Sequence, residues 1–333
     1  MPQFNAIPRV LISHSPTPLE VMPHLSKILN HNLLIKRDDC TGLAGGGNKT
    51  RKLEYLLAAA LAGNADTLVT VGGIQSNHAR QTAAVAAKFG LKCELVLEDV
   101  SGTPKSDYYQ NGNVLLNNLL GATIHRISAE ENCADYANEL MVSLQNSGKQ
   151  PYLIPMGGSN EIGSLGYIQC AQEVIDQIKD QDIALDHIVL ATGSAGTQAG
   201  LLAGLILADV DIPVLGICVS RPADEQIQIV TELLEKTLTL IGLDPSLAKG
   251  RVFANGDYYG QGYGIPTDEM IEAVRLCAQH EGLILDPVYT GKAMSGMIDL
   301  CRKGVFSAKE NILFLHTGGS QGVYAYQEIF DNK

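Results

Sequence analysis

A lysine delivered by a run of glycines is the feature of this chain best suited to chemistry. The stretch Gly45-Gly46-Gly47-Asn48-Lys49-Thr50-Arg51-Lys52-Leu53-Glu54 places Lys49 at a helix start. Downstream, Leu53, Leu56, Leu57, Ala60 and Leu61 recur at helical spacing, and Gly63 is placed to end the helix. The spacing predicts an amphipathic helix. Glycines ahead of it let the backbone approach a bound group closely. A lysine held there, shielded from water, has its pKa lowered and becomes a nucleophilic amine, as a Schiff-base lysine requires. A solvated lysine on a first helical turn is the plainer alternative.

Three further stretches keep that lysine company. Thr67 to Val71 reads as a strand ending in Gly72-Gly73, and Gln75-Ser76-Asn77-His78 follows at a helix start. Ser76 or Asn77 can cap that helix, and its free N–H groups can receive an anion such as a carboxylate. The apolar strand Ile188 to Ala191 runs into Thr192-Gly193-Ser194-Ala195-Gly196-Thr197 and then an apolar helix. Such a turn presents backbone N–H groups and the positive helix end, a cradle for a phosphate. It lacks the lysine of a nucleoside-triphosphate loop and the G-x-G-x-x-G of a dinucleotide site, so a small phosphate ester fits it best. Tyr258 to Pro266 reads as a rigid aromatic loop, and the strand Ile312 to His316 opens into Thr317-Gly318-Gly319.

The elements that must position these residues alternate strand and helix, which argues for parallel α/β architecture. A short helix is expected over 23–29, strands over 33–37, 93–97, 152–155 and 214–219, and helices over 128–150 and 221–250. Residues 99–113 read as a long polar loop. Met156 to Gly166 reads as a glycine-rich crossing between lobes. The 333 residues suffice for one large or two ordinary domains, and 45% hydrophobic content supports a sizeable core. A net charge of −12 without basic runs disfavours nucleic acid and membrane surfaces and suits small zwitterionic substrates. Seven scattered cysteines with no C-x-x-C pair read as reduced, cytoplasmic thiols, with Cys40 the one candidate for reactivity. No H-x-x-x-H is present, and the start of the chain lacks a signal-peptide design.

Taken together, IKRDD (35–39), GGNKTRKLE (46–54), QSNH (75–78), TGSAGT (192–197), GYGIP (262–266), DPVYTGK (286–292) and HTGG (316–319) resemble one family. It is the fold-type II, pyridoxal-phosphate-dependent 1-aminocyclopropane-1-carboxylate deaminase/D-cysteine desulfhydrase group. The resemblance implies a tryptophan synthase β-like α/β fold, with two open, twisted, mostly parallel sheets flanked by helices. It implies a smaller domain over 51–159, a larger cofactor-binding domain from 1–50 and 160–333, and a homodimer. Lys49 would carry pyridoxal 5'-phosphate. Gly193, Ser194, Ala195, Gly196 and Thr197 would hold the phosphate, and Asn77 the 3-hydroxyl oxygen. Ser76, Asn77 and His78 would grip the substrate carboxylate, and Tyr263 and Tyr289 would be the two active-site tyrosines.

Two positions separate branches of that family. The deaminase branch has a glutamate after the second tyrosine, where this chain has Thr290, and an apolar residue where it has Thr317. A carboxylate beside the pyridine nitrogen makes a strong electron sink, which opening a cyclopropane needs; a threonine hydroxyl makes a weaker one. The resemblance therefore implies β-elimination from D-cysteine, with freed Lys49 as base and Ser76 or Tyr289 tuning the step. Release of sulfite from L-cysteate is the alternative, cyclopropane deamination the third reading, and cofactor binding without turnover a fourth.

Overall fold

The structure is a computed structural model that describes residues 3–100, 105–128 and 130–331. Among the described residues, ten strands form two sheets: β1 (Leu19–Val21), β2 (Asn32–Arg37), β3 (Thr67–Gly73), β4 (Lys92–Glu98), β5 (Thr123–Ile127), β6 (Pro151–Ile154), β7 (His187–Thr192), β8 (Val214–Cys218), β9 (Phe253–Asn255) and β10 (Asn311–His316). One sheet runs β1-β2-β10-β7-β8-β9 and the other β5-β4-β3-β6. Every pairing is parallel except β1 with β2. All four strands of the smaller sheet fall within 51–159.

Twelve helices among the described residues cover the sheets: α1 (Pro23–Leu29), α2 (Lys49–Ala62), α3 (Asn77–Phe89), α4 (Ser106–Gln110), α5 (Asn113–Leu119), α6 (Cys133–Asn146), α7 (Glu161–Asp180), α8 (Gly196–Leu207), α9 (Ala223–Leu240), α10 (Asp268–Glu281), α11 (Thr290–Arg302) and α12 (Gln327–Phe330). The larger sheet shows why its strands are continuously apolar. Successive side chains alternate between faces. Leu34, Leu313 and Leu315 join one core with α7, α8 and α9, while Leu33, Ile35, Ile312 and Phe314 join another with α1, α10 and α11. Both faces are covered, as parallel sheets require. In the smaller sheet, Leu68, Leu95 and Leu97 pack with α2 and α3, and Val71 and Val96 with α6.

The structure corrects four readings of the sequence. The polar loop at 99–113 contains α4 and the first residue of α5; its residues 101–104 lie outside the described residues. The helix expected over 221–250 ends at Leu240, with a short 3-10 turn at Pro245–Ala248. The glycine-rich crossing is only Met156 to Asn160, because Gly163 and Gly166 lie inside α7. A Cβ on Gly166 would sit 2.3 Å from the Arg51 carbonyl oxygen, so that glycine lets α7 press against the backbone of α2. Finally, α2 is not amphipathic in its surroundings: Thr50 to Ala58 are all buried, polar residues included.

The polar residues of α2 are buried because they find partners from other elements. The Arg51 guanidinium donates to Asp38 at 2.9 Å and to Glu173 at 2.7 and 2.8 Å, and Lys36 meets the same Glu173 at 2.9 Å. Tyr167 donates to Asp38 at 2.6 Å. Despite burial, Arg51 and Lys36 hold the Asp38 carboxyl below its usual range. Glu54 accepts from Arg9 at 2.7 Å and from the N–H groups of Ile12 and Ser13 at 2.9 and 2.7 Å. Among the described residues, no helix is long and apolar enough to cross a membrane.

Candidate active site

The site assembles where the C-terminal ends of parallel strands from both sheets face one another, the usual ligand position in open α/β sheets. β3 ends before Ser76, β7 before Gly193 and β10 before Thr317. The loop after β2 reaches Lys49, and the ends of β6 and β8 supply Gly157 and Arg221 to the outer cleft.

The loop before Lys49 is held on all sides. Gly46 has φ +73°, and a Cβ there would lie 1.9 Å from the Asp39 carbonyl oxygen, so only glycine fits. From α3, Arg80 and Gln81 donate to the Gly46 carbonyl at 2.8 and 2.7 Å. The Asn48 N–H donates to Thr317 O at 2.9 Å, and the Asn48 amide donates to Thr197 Oγ1 at 2.9 Å. One residue thus ties the lysine loop to the end of β10 and to the glycine turn.

Lys49 lines the inner cleft. Burial pushes its amine down to about 8, against the upward pull of a hydrogen bond with Lys52 and the charge of Asp286. Lys52 is lowered further, by burial and by the Lys49 charge. The Lys52 ammonium donates to Gly157 O at 3.1 Å and Ser159 Oγ at 3.0 Å, and Ser159 Oγ in turn accepts from the Gly196 N–H at 3.2 Å. Among the described residues, no carboxylate stands opposite either lysine within hydrogen-bonding distance.

The inner cleft is lined by Lys49, Asn77, His78, Gly193, Ser194, Ala195, Thr197, Tyr289 and Thr317 among others; no aspartate or glutamate of the described residues is among its walls. Gly196 is the first residue of α8, and Ala195 before it takes φ +72°, a conformation costing a non-glycine residue about 1–3 kcal/mol. Thr197 and Gln198, on the first turn of α8, line the cleft, and N–H groups at a helix start lack intrahelical partners. Ser76 and Tyr263 line the contiguous outer part, a cavity of about 250 Å³ that shares Lys49, His78, Gly193, Ser194 and Tyr289. The hydroxyls of Tyr263 and Tyr289 meet at 2.5 Å. Thr290 is set back from the cleft. Its hydroxyl donates to Asp286 Oδ1 at 2.7 Å and accepts from the Asp286 N–H at 2.8 Å.

Local hydrogen bonds fix what the other side chains can do. Ser76 caps α3 by accepting from the Ala79 N–H at 3.1 Å, a bond of about 1 kcal/mol, and keeps its own proton to give. Asn77 Oδ1 accepts from Asn113 at 2.9 Å, which leaves its Nδ2 as a donor. Thr70 commits its proton to Ile154 O at 2.8 Å, so His78 must donate to Thr70 from Nε2 at 2.8 Å. His78 is then neutral with a bare, buried, unpartnered Nδ1, and burial with the two lysine charges keeps it neutral. Asp286 accepts from the N–H groups of Val288, Tyr289 and Thr290 at 2.9, 2.9 and 2.7 Å, and so sets Tyr289 at the start of α11.

Sequence reasoning missed Asn48, Lys52, Ser159 and Asp286. Lys52 had a signal, since it lies three residues after Lys49 and shares its helix face. Cys40 is the exposed thiol of seven free cysteines, and its pKa is raised by burial and Asp39, the opposite of activation.

The family model described as pyridoxal-phosphate dependent enzyme matches residues 10–318, and the chain belongs to that family. It is 46% identical over 323 residues to a D-cysteine desulfhydrase from Klebsiella pneumoniae, covering 97% of each chain. It is 45% identical over 324 residues to one from Yersinia pestis, again covering 97% of each. A crystal structure of an ACC deaminase homologue superposes with a TM-score of 0.89 at 39% identity, over 99% of this chain and 98% of that one. A crystal structure of a bacterial threonine deaminase shares the fold alone, with a TM-score of 0.64 at 20% identity over 91% and 92% of the chains.

The residues present fit the family's cofactor. An amine lowered to about 8 suits an aldehyde, and the Gly193–Thr197 turn, with Lys52 Nζ behind Gly196, suits a phosphate. A Cβ on Gly196 would come within 3.0 Å of Lys52 Nζ, so the turn is kept bare where the ammonium reaches it.

Proposed function

We propose that this chain converts D-cysteine and water to pyruvate, hydrogen sulfide and ammonia, acting as a carbon–sulfur lyase. The observation that carries the reading is the absence of a carboxylate from the described walls of the inner cleft, together with the retention of Lys49. Such a neutral setting suits a reaction with a good leaving group at the β-carbon and is poor for opening a cyclopropane. The names of the relatives agree with it.

When bound, pyridoxal phosphate supplies an electron sink for the α-carbon. The chain supplies the rest. Lys52 and the N–H groups of the Gly193–Thr197 turn would hold the phosphate, and Lys49 would hold the aldehyde carbon. The Nδ2 of Asn77 would donate to the ring's 3-hydroxyl oxygen, and Thr317, which lines the inner cleft, would serve the ring nitrogen, since the Thr290 hydroxyl is tied to Asp286. Ser76 donates its hydroxyl proton to the substrate carboxylate. The His78 side chain has no proton to offer there, so its contribution is the main-chain N–H at the start of α3. Lys49, once free and neutral, would take the α-proton, a contribution of roughly 10²–10⁴-fold for a positioned base. The Tyr263–Tyr289 pair has hydroxyl protons kept in place by burial, which raises both groups, and can donate a hydrogen bond to the departing sulfur.

The same reading includes two lobes, 51–159 against 1–50 with 160–333, a homodimer and a cytoplasmic location. Seven unpaired cysteines, six of them buried, support a reducing compartment. The test is product identification with purified enzyme. Sulfide and pyruvate are expected from D-cysteine. Sulfite from L-cysteate without sulfide from D-cysteine would overturn the assignment in favour of a sulfo-lyase, and 2-oxobutanoate from 1-aminocyclopropane-1-carboxylate would favour the deaminase.

A further inference from the structure

Tyr263 sits in a stretch, Tyr258 to Pro266, with neither helix nor strand and with glycines at 260, 262 and 264. Such a segment has no ladder of its own to fix a hydroxyl to within a fraction of an ångström. Yet Tyr263 meets Tyr289 at 2.5 Å, with the rings 5.7 Å apart and near perpendicular. Something outside the loop must hold it.

Lys292 is that support. Its side chain is fully buried, and its ammonium donates to Tyr259 O at 2.7 Å and Gly262 O at 2.8 Å. Lys292 lies on the first turn of α11, three residues after Tyr289, which immediately precedes that helix, so the start of one helix carries both the partner of Tyr263 and the clamp. On the other side, the Tyr326 hydroxyl donates to Gly264 O at 2.9 Å. The loop is pinned immediately before and after Tyr263.

The position is a poor one for a cation. The first turn of a helix carries the positive end of the macrodipole, and burial costs an ammonium its hydration. The amine is accordingly lowered to about 8, with only the charge of Asp286 acting against burial. A position that penalises the charge yet holds a lysine points to the donors it supplies rather than to helix stability.

We infer that Lys292 is a positioning residue for the reaction: by clamping the carbonyls of Tyr259 and Gly262 it seats the Tyr263 hydroxyl against Tyr289. The inference rests on the reading of Tyr263 as a residue of the reaction cleft. It assigns no contact between Lys292 and substrate or cofactor.

The test pairs kinetics with a spectroscopic signature in the cofactor-loaded enzyme. Lys292→Met keeps length and removes the donors. It is expected to lower kcat about a hundredfold, the scale of an ångström of misplacement, with little change in KM. Lys292→Arg, which keeps donors, is expected to recover part of the rate. Combining Lys292→Met with Tyr263→Phe should be no worse than the more severe single change, since both act through one hydroxyl. With tyrosines labelled at the ring carbon bearing oxygen, the Tyr263 resonance, identified by its loss in Tyr263→Phe, should move in Lys292→Met toward that of a solvated tyrosine. An unmoved resonance, or rate losses that multiply, overturns the clamp. Should Tyr263→Phe leave turnover unchanged, the role given to Tyr263 falls, while the resonance still decides the clamp. If Lys292→Met does not fold, Lys292→Gln is read by the same measurements.

Discussion

Four titratable side chains on the first two turns of α2, three of them fully buried, fall into two pairs with opposite fates. Arg51 and Glu54 face carboxylates, guanidinium and N–H groups at 2.7–2.9 Å. Lys49 and Lys52 have each other, two neutral oxygens and, among the described residues, no carboxylate in hydrogen-bonding range. Arg51, Lys52 and Glu54 are fully buried and Lys49 only partly exposed, so burial alone does not distinguish the pairs. The difference lies in compensation. A buried charge with its partner built into the fold is architecture; one left uncompensated needs an anion or an aldehyde brought from outside.

The largest effect that sharpens this contrast is at Lys49. Lys49→Ala should fold, lose turnover below detection and lose covalent attachment of the cofactor. Borohydride reduction and peptide mapping of the unsubstituted enzyme should label position 49; an active enzyme labelled elsewhere sinks the assignment. Next, Arg51→Leu takes the guanidinium from Asp38 and leaves Glu173 to Lys36 alone, and should cost about 3–5 kcal/mol of unfolding free energy by urea titration. A cost near zero would make the two pairs alike and remove the contrast. Third, Lys52→Met should leave the cofactor-free fold intact but weaken cofactor affinity about tenfold to a hundredfold, the value of one charged hydrogen bond. Inorganic phosphate should raise the melting temperature of the cofactor-free parent and not of this variant.

The smallest effect is the pH response of the cofactor-free protein. Folded Lys49 releases its proton at about 8, whereas an unfolded lysine does so near 10.4. Between those values the unfolded chain binds more protons, so stability should rise with pH across that window and carry the full penalty below about 8. The rate at which position 49 takes up pyridoxal phosphate should climb through about pH 8 as well. A flat uptake rate across that range would show that Lys49 is not desolvated in solution.

Much of this was legible in the residues, because apolar runs and glycine-rich strand ends are local signals. The strands carrying the site, and the lysine loop itself, were placed by pattern alone. What was missed depended on contacts across the fold. Gly163 and Gly166 read as a loop because one letter serves both turns and close approach, and only the backbone of α2 decides between them. The stop at Leu240 was concealed by apolar Ile241 and Leu243, although Gly242 and Pro245 marked it. The five residues of α4 are too few to show a period. Thr290 could be aligned with a ring nitrogen by resemblance, but nothing in its neighbours' identities says that Asp286 takes its proton.

One arrangement described above bears on how such enzymes diversify. The turn proposed to cradle phosphate and the strand leading to Thr317 belong to the larger sheet, whereas Ser76 and the start of α3 are rooted in the smaller one. Under the proposed roles each ligand would be held from both halves of the chain: Lys52 and Asn77 bring cofactor contacts from the half bearing Ser76, and Tyr263 and Tyr289 face the substrate from the other. Substrate range could then not be retuned in one half while the coenzyme's seat is inherited untouched.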